Sequence, residues 1–207
     1  MTIRAVLFDM DGVLIDARDW HYEALNDALR LFGHEISAVE HAAVYDGLPT
    51  RKKLEILSRT RGVPTRLHAF VNALKQARTL ELTQERCRPQ FQHQYALSRL
   101  RQEGVKLGVC SNSVRRTVEV MMDKSHLAGY LDVVLSNEDV EAPKPDPEIY
   151  RVAMERLAVT PAECLIVEDN DHGLEAARAS GAHVLAVASP ADVTYDRVLM
   201  AMKGAGQ

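Results

Sequence analysis

Two aspartates near the start of the chain are the first residues whose spacing suggests chemistry. Asp9 and Asp11 follow an apolar run and precede Gly12. If the extended backbone continues, both carboxylates point to the same side and repel each other unless a positive charge lies between them. Mg²⁺ prefers oxygen ligands of this kind. The pair therefore predicts a magnesium site, and the alternative interpretation is a polar strand end with two solvated acids.

Two further clusters carry groups suited to a phosphate. Ser111 and Asn112 lie in the segment 110–113 (CSNS), where a hydroxyl and backbone N–H groups at a helix start could hold phosphate oxygens. The same residue types are also ordinary helix N-caps. Lys144 lies in the segment 142–147 (APKPDP), whose three prolines restrict its backbone. A rigidly held ammonium suits a transferring phosphoryl group, and the alternative is a proline-rich surface turn.

The fourth cluster is a pair of adjacent acids. Glu168 and Asp169 come at the end of the apolar run 164–167 (CLIV) and could complete the coordination of a metal ion. The alternative is that they are acids at a helix N-terminus, where the helix dipole stabilises negative charge. The four alternatives do not explain why all four clusters occur together, each at the end of an apolar run.

The elements that must position these clusters are short apolar strands. Runs rich in Val, Ile and Leu suit strands buried on both faces, and they occur at residues 3–8, 105–110, 133–135, 164–167 and 183–187. Helical patterns lie between them, at residues 114–125, 147–157 and 174–179. This alternation predicts a doubly wound α/β fold with a parallel sheet. Active sites of such sheets lie at the carboxyl ends of the strands, where the clusters fall.

The segment from residue 17 to residue 88 breaks this alternation. It has helical periodicity at 20–32, 51–61, 66–75 and around Leu80, and no convincing strand. We expect an all-helical cap domain, 17–88, inserted above the carboxyl end of the first strand. The α/β core would then consist of residues 1–16 and 89–207. The tail, 201–207, is expected to be frayed.

Composition narrows the class of protein. The chain has 207 residues, 46% of them hydrophobic and 26% charged, which is ordinary globular composition. Aromatic residues make up 5% and the net charge is −4, so the sequence predicts neither nucleic-acid nor membrane binding. The three cysteines have no metal-ligand spacing, and two lie in apolar runs, which indicates buried side chains. A cytoplasmic, monomeric protein is expected.

The four clusters, in this order, resemble the haloacid dehalogenase superfamily of phosphotransferases. The similarity is greatest to the β-phosphoglucomutase-like phosphatases of subfamily I, which carry a helical C1 cap after the first motif. It rests on DMDGVLID at 9–16, CSNS at 110–113, KPDPEIY at 144–150 and VEDNDHGLEAARASGA at 167–182. The resemblance covers nearly the whole chain and implies a Rossmann-like core.

The resemblance also implies roles for the acids. Asp9 would be the nucleophile that forms an aspartyl-phosphate. Asp11 would be the general acid and then the general base. Mg²⁺ would bind to the Asp9 carboxylate, the Asp11 backbone carbonyl and Asp169, with Glu168 assisting directly or through water.

Further roles follow from the same resemblance. Ser111 and the backbone of Asn112 would hold phosphate oxygens, while Lys144 would offset charge on the nucleophile and the phosphoryl group. Two departures from the family pattern weaken the transfer of a specific substrate. Ala17 stands where relatives commonly carry Ser or Thr, and Asn170 replaces the usual Ser after the acid pair.

The cap is expected to carry substrate specificity. His21 matches a histidine that faces the active site in many relatives, and Gly47 and Arg51 lie in a segment similar to the cap substrate loop of the family. Lys75 falls near the position where sugar-phosphate mutases contact a second phosphate. The alternative for these polar side chains is a solvated helix surface.

The sequence therefore predicts a Mg²⁺-dependent phosphatase that acts on a small phosphorylated metabolite, with a sugar phosphate as the first candidate. A phosphosugar mutase of the β-phosphoglucomutase type is the alternative. A signalling receiver domain uses a similar set of Asp, Ser or Thr, Lys and Mg²⁺. Receivers are shorter and lack a helical insertion after the first strand, so this third interpretation is disfavoured.

Overall fold

The computed structural model describes residues 2–205, and one parallel sheet lies at its centre. The sheet has five strands in the order β3-β2-β1-β4-β5: β1 (Ala5–Phe8), β2 (Lys106–Cys110), β3 (Val133–Leu135), β4 (Cys164–Glu168) and β5 (His183–Ala186). Phe8, the last residue of β1, pairs with Val109 on one side and Val167 on the other. The three central strands therefore end at nearly the same level, and the residues that follow them emerge together.

The segment between β1 and the next core helix contains helices and helical turns but no strand. It contains α1 (Arg18–Arg30), α2 (Ala38–Glu40), a π-helical turn (His41–Tyr45), α3 (Thr50–Arg61), a 3₁₀ turn (Thr65–Leu67) and α4 (His68–Arg86). We call this helical segment the cap. Leu25, Leu57 and Val71 belong to a buried apolar cluster of its own. The two helical patterns predicted at 66–75 and around Leu80 are one helix, α4. The division into domains at 17–88 stays a prediction.

Five longer helices cover the two faces of the sheet: α5 (Phe91–Gln102), α6 (Arg115–Lys124), α7 (Glu148–Leu157), α8 (Asp171–Ala179) and α9 (Tyr195–Ala205). Short 3₁₀ turns lie at Ala128–Tyr130, Pro161–Glu163 and Pro190–Asp192. Val6 and Phe8 pack towards α5, α6 and α9, whereas Leu7 packs towards α7 and α8. This alternation of side chains along β1 is what a sheet buried on both faces requires. The predicted doubly wound α/β fold is confirmed.

The C-terminal residues differ from the expectation. α9 continues through Ala205, so the expected fraying from residue 201 is wrong for residues 201–205. Ala201, Met202 and Ala205 lie at helical spacing after the buried Val198, and all three pack against the core. Residues 206 and 207 lie outside the described part of the chain.

The three cysteines are buried and free, as their apolar surroundings indicated. Among residues 2–205, no helix combines the length and the apolar character needed to cross a membrane.

Candidate active site

The predicted clusters meet at the carboxyl ends of β1, β2 and β4. The N–H of Asp9 donates to the carbonyl oxygen of Val167 at 3.0 Å, and the N–H of Ser111 donates to that of Leu135 at 3.0 Å. The sheet hydrogen bonding thus extends one residue beyond β1 and β2, and it fixes the first residue of each cluster. The resulting pocket is lined from the core side by Asp9, Asp11, Ser111, Asn112, Lys144 and Asp169, and from the other side by cap residues.

Lys144 is a buried cation at the floor of this pocket. Its Nζ donates to Asp9 Oδ1 at 2.7 Å, to Glu168 Oε1 at 2.6 Å and to the Cys110 carbonyl oxygen at 2.8 Å. All three donors of the ammonium are therefore used. Its Nζ also lies 4.7 Å from the ring centre of Tyr150, whose hydroxyl donates to Glu168. Burial lowers the pKa of Lys144, but the two carboxylates outweigh burial and hold it above its ordinary value.

The two carboxylates that contact this lysine form a cluster with a third. Asp9, Glu168 and Asp169 each offer an oxygen, and these atoms lie within 4.8 Å of one another. Burial raises the pKa of Asp9 well above its ordinary value; Lys144 opposes this, while the neighbouring carboxylates add to it. A cluster of carboxylate oxygens that repel one another is a donor set that fits Mg²⁺.

Gly12 allows the loop after β1 to approach this cluster. Its φ is +88°, and a Cβ at this position would lie 2.0 Å from Asp169 Oδ2. Any other L-residue would therefore meet both backbone strain and a steric clash.

Arg18 is a member of the site that the sequence did not indicate. Its guanidinium donates to the Asp169 carboxylate, and its Nε lies 3.7 Å from Asp46 Oδ2 in the cap. Burial raises the pKa of Asp169, and Arg18 only partly offsets the effect. Arg18 follows Asp16 by two residues in a segment with no distinctive pattern, so its partners become evident only in the folded chain.

Asp11 is held by residues from both the core and the cap. His21 Nε2 lies 3.0 Å from Asp11 Oδ1, and the Ser113 hydroxyl donates to Asp11 Oδ2 at 3.0 Å. His21 Nδ1 lies 3.0 Å from Lys75 Nζ. Because an ammonium only donates, Nδ1 accepts and the Nε2–H donates to Asp11. Burial and Lys75 lower the pKa of His21, in agreement with this neutral form.

The same contacts set the charge of Asp11. Burial raises the pKa of Asp11, but His21, Ser113 and Lys75 together outweigh burial and hold it below its ordinary value. Asp11 is therefore ionised in this arrangement. The structure brings two predicted cap residues, His21 and Lys75, to a predicted core residue.

Gly47 and Asn112 join the cap to the core loops. The side-chain amide of Asn112 donates to the carbonyl oxygens of Gly47 at 3.0 Å and Lys144 at 3.2 Å, and its Oδ1 accepts from the Lys144 N–H at 3.0 Å. The Asn112 side chain is thus committed to the protein, and its backbone carbonyl oxygen accepts from the Asn137 side chain at 2.9 Å, which leaves its backbone N–H for a ligand. Gly47 has a φ of +71°, and a Cβ there would lie 2.8 Å from Asn170 Oδ1.

Arg51 lies at the rim of the pocket. Its side chain is 88% exposed and its Nε donates to Glu55 Oε1 at 3.2 Å along α3. Its predicted role as a substrate contact stays a prediction. Lys53, two residues later on α3, is only 5% exposed and lines the pocket. Sequence reasoning missed Lys53 because the basic run 51–53 (RKK) does not reveal which side chain faces inward.

Gly173 provides a test of how closely the site is packed. A Cβ at Gly173, in the first turn of α8, would lie 2.1 Å from the carboxylate atoms of the wholly buried Glu168. We expect Gly173→Ala to displace Glu168 from Lys144 and to lower the free energy of unfolding by about 2 kcal/mol, as overpacking does. Urea denaturation would measure the change. Gly129→Ala is the matched control, since nothing lies within 4 Å of its Cβ position. Equal urea midpoints for the two variants would contradict the close approach of Gly173 to the Glu168 carboxylate.

The fold and the site together define an enzyme of the parallel α/β class, with its polar pocket at the carboxyl ends of the central strands. Residues 6–187 match the family model described as haloacid dehalogenase-like hydrolase. The chain belongs to this family, and the resemblance stated from its motifs is confirmed.

Individual relatives agree with this membership. The phosphorylated carbohydrates phosphatase of Thermotoga maritima is 31% identical over 182 residues, which cover 86% of this chain and 82% of that protein. The phosphoglycolate phosphatase of Aquifex aeolicus is 28% identical over 179 residues, with coverage of 86% and 82%. The crystal structure of a β-phosphoglucomutase from Clostridium difficile has a TM-score of 0.84 over 98% of each chain at 19% identity, a likeness of fold. The prediction of a phosphatase-type hydrolase is confirmed at this level.

Proposed function

We propose that the protein is a Mg²⁺-dependent phosphatase that hydrolyses a small phosphomonoester, with a sugar phosphate as the first candidate, through an aspartyl-phosphate on Asp9. The observation that carries the proposal is the buried Lys144, whose ammonium joins the Asp9 carboxylate to Glu168 at the ends of β1 and β4. The two sequence relatives named above, from Thermotoga maritima and Aquifex aeolicus, are phosphatases by name, which favours hydrolysis over isomerisation.

Asp9 is the proposed nucleophile. Its free carboxylate oxygen attacks phosphorus, and the bond between phosphorus and the leaving alkoxide oxygen breaks as the new bond forms. Lys144 holds the other oxygen of Asp9 and offsets negative charge on the reacting groups. The Ser111 hydroxyl and the Asn112 backbone N–H are the proposed donors to the phosphoryl oxygens.

Asp11 is the proposed proton carrier. The first step uses its protonated form, which donates the proton to the leaving oxygen. The second step uses its ionised form, which takes a proton from the water that attacks the aspartyl-phosphate. The ionised form is the one that accepts hydrogen bonds from His21 and Ser113.

The carboxylates of Asp9 and Asp169 and the backbone carbonyl of Asp11 are the proposed Mg²⁺ ligands, with Glu168 assisting directly or through water. When bound, the metal ion would neutralise charge on the phosphoryl group and on these acids. Glu168 also accepts hydrogen bonds from Lys144 and Tyr150. It therefore positions the Lys144 ammonium whether it would bind the metal ion directly or through water.

The cap is proposed to contact the substrate. His21, Gly47, Arg51 and Lys75 are the proposed substrate contacts, and all four line the pocket. The helical segment 17–88 is proposed to act as a separate cap domain over the core, in a monomeric enzyme.

A ³¹P NMR experiment with a mixture of hexose 1-phosphates and hexose 6-phosphates tests this function. In the presence of Mg²⁺ we expect the inorganic phosphate signal to grow, to stop growing when EDTA is added, and to resume with excess Mg²⁺. Interconversion of the phosphate positions without free phosphate would identify a phosphosugar mutase instead. Absence of reaction with these sugars and with a wider panel of phosphomonoesters would contradict the phosphatase.

A further inference from the structure

Arg18 is a counter-ion of the acid cluster at the floor of the pocket. Lys144 pairs with Asp9 and Glu168, whereas the third acid of the cluster, Asp169, pairs with Arg18. The Asp169 side chain is only 1% exposed, and the guanidinium that donates to its Oδ2 comes from a side chain that is 40% exposed. The charge of this buried carboxylate is therefore balanced from the solvent side of the pocket.

Arg18 reaches this acid from the cap. It is the first residue of α1, and it has a second acidic partner, Asp46, whose Oδ2 lies 3.7 Å from its Nε. Asp46 directly follows the π-helical turn of the cap, whereas Asp169 directly follows β4 of the core. The guanidinium thus lies between an acid of the cap and an acid of the core. If the contact with Asp169 were lost, Arg18 would keep Asp46 as its partner.

The carboxylate that Arg18 binds is also a proposed ligand of Mg²⁺. An oxygen of Asp169 lies within 4.8 Å of oxygens of Asp9 and Glu168, and this donor set fits the ion. Asp169 Oδ2 accepts from Arg18, and its Oδ1 accepts from the Asn170 amide at 3.0 Å. A metal ion at Asp169 would either displace the guanidinium or share the carboxylate with it. In both cases the two cations repel each other, so each weakens the binding of the other.

We propose that Arg18 is an internal counter-ion that competes with Mg²⁺ for Asp169, so that metal binding weakens the Arg18–Asp169 ion pair that joins the cap to the core. The inference rests on the proposed function, because it takes Asp169 as a ligand of the metal ion. In the metal-free protein Arg18 balances the charge of Asp169 and holds the cap to the core at this point. Arg18 thus lowers the affinity for the metal ion and couples the metal site to the cap.

Electron paramagnetic resonance of Mn²⁺ tests the competition without any turnover. Mn²⁺ takes oxygen ligands as Mg²⁺ does, and the signal of the free ion gives the dissociation constant. We expect Arg18→Met to bind Mn²⁺ about 10-fold more tightly than the unaltered protein, the effect expected of one partly screened charge beside a divalent ion. Arg18→Lys keeps the positive charge and should bind Mn²⁺ with nearly the affinity of the unaltered protein.

Arg30→Met is the matched control. Arg30 lies on the same helix, α1, and its exposed side chain pairs with Asp27 and Glu35 outside the lining of the pocket. This variant should leave the Mn²⁺ affinity unchanged.

Thermal melts distinguish competition from a purely structural role of Arg18. In EDTA, Arg18→Met should melt at a lower temperature than the unaltered protein, because the buried Asp169 carboxylate loses its counter-ion. Mg²⁺ should then raise the melting temperature of Arg18→Met by more than it raises that of the unaltered protein, because tighter binding stabilises the folded state more. An equal rise in the two proteins, or an unchanged Mn²⁺ affinity, would overturn the competition.

The single tryptophan of the chain reports on the contact between the cap and the core. Trp20 lies on α1, two residues after Arg18, and its partly buried side chain packs against an apolar cluster of the core. We expect Mg²⁺ to shift the emission of Trp20 to longer wavelength in the unaltered protein. Arg18→Met should show the shifted emission already in EDTA, with little further change when Mg²⁺ is added. No shift in the unaltered protein, or an equal shift in both proteins, would overturn the coupling to the cap.

The outcomes distinguish this inference from the proposed function. If phosphomonoesters are hydrolysed and Arg18→Met binds Mn²⁺ with unchanged affinity, the inference fails and the phosphatase stands. If Arg18→Met binds Mn²⁺ more tightly but no phosphomonoester is hydrolysed, the proposed function fails and the inference stands. If the unaltered protein binds neither Mn²⁺ nor Mg²⁺, the competition is overturned, and the metal dependence of the proposed function fails with it.

Discussion

Asp9→Asn is expected to lower turnover by at least about 10⁴-fold while leaving the metal-free protein as stable as before or more stable. The loss of turnover follows from the proposed role, because an amide oxygen does not form the aspartyl-phosphate. The effect on stability follows from electrostatics. Asp9 lies among three other carboxylates, those of Asp11, Glu168 and Asp169, and one of its neighbours, Lys144, keeps Glu168 as a partner in the variant.

The pH dependence of this effect has a definite sign. The pKa of Asp9 is raised in the folded protein, from about 3.9 in the unfolded chain. A raised carboxyl pKa stabilises the fold below the unfolded value, and this contribution is lost as the pH rises through the folded value. The pKa of Lys144 is raised as well, because two carboxylates lie beside this one ammonium. Removal of the Asp9 charge should therefore favour the variant more at pH 8 than at pH 5.

Thermal melts in EDTA at pH 5 and pH 8, together with the phosphate-release assay in Mg²⁺, would measure both effects. Asp19→Asn makes the same chemical change at an exposed position of α1 and should alter neither turnover nor the pH dependence. Turnover by a pure Asp9→Asn protein at near the normal rate would exclude Asp9 as the nucleophile. A large loss of stability at pH 8 would contradict the electrostatic argument.

Lys144→Met is expected to have the largest combined effect, with a loss of about 3–5 kcal/mol in the free energy of unfolding and about 10³-fold in turnover. The substitution leaves the carboxylates of Asp9 and Glu168 buried without their ammonium, and a broken buried ion pair costs this much. The loss of turnover follows because a fixed charge beside the phosphoryl group is removed.

The loss of stability in Lys144→Met should depend on pH. The pKa of Asp9 is already raised by burial, so at low pH its abandoned carboxylate can take up a proton, and the variant should be less destabilised at pH 5 than at pH 8. Urea denaturation at the two pH values would show the difference. Lys203→Met, at an exposed position of α9, is the control for loss of one lysine. A stability equal to that of the control at pH 8 would mean that Lys144 is not the counter-ion of the buried acids.

Only Lys144→Met should thus destabilise the fold, although the two variants remove the two partners of one ion pair. The reason is the imbalance of charge at the floor of the pocket, where one ammonium serves a cluster of carboxylates. Repulsion within such a cluster lowers the free energy of unfolding, and the positive charge of Lys144 offsets this repulsion. This is the pattern expected where the geometry of a reaction, not stability, has selected the residues.

The architecture and the grouping of the core site residues were predictable from the amino-acid sequence. Apolar runs that alternate with helical patterns predict a parallel sheet, and the side chains that follow each run must then meet at one edge. Asp9, Ser111 and Asp169 are therefore expected together at that edge on the strength of the chain's pattern alone. These inferences succeed because they depend on local periodicity and on residues adjacent to strand ends.

Which of the cap side chains that line the pocket are buried there depends on the tertiary packing. Arg51 and Lys53 lie on one helix, and both are basic, yet one is exposed and the other buried. Two positions correspond to about 200° around a helix, so the choice depends on how α3 is rotated. That rotation is set by the packing of Leu54 and Leu57 into the cap core.

The partners of Arg18 and the contact between His41 and Lys53 were likewise beyond the sequence. Arg18 and Asp169 are 151 positions apart, and no pattern along the chain connects them. His41 Nε2, on the π-helical turn, lies 3.3 Å from Lys53 Nζ on α3, and no pattern along the chain connects these two residues either. Sequence periodicity reports which face of an element is apolar, but the pairing of polar side chains between elements depends on distances that only the packed chain defines.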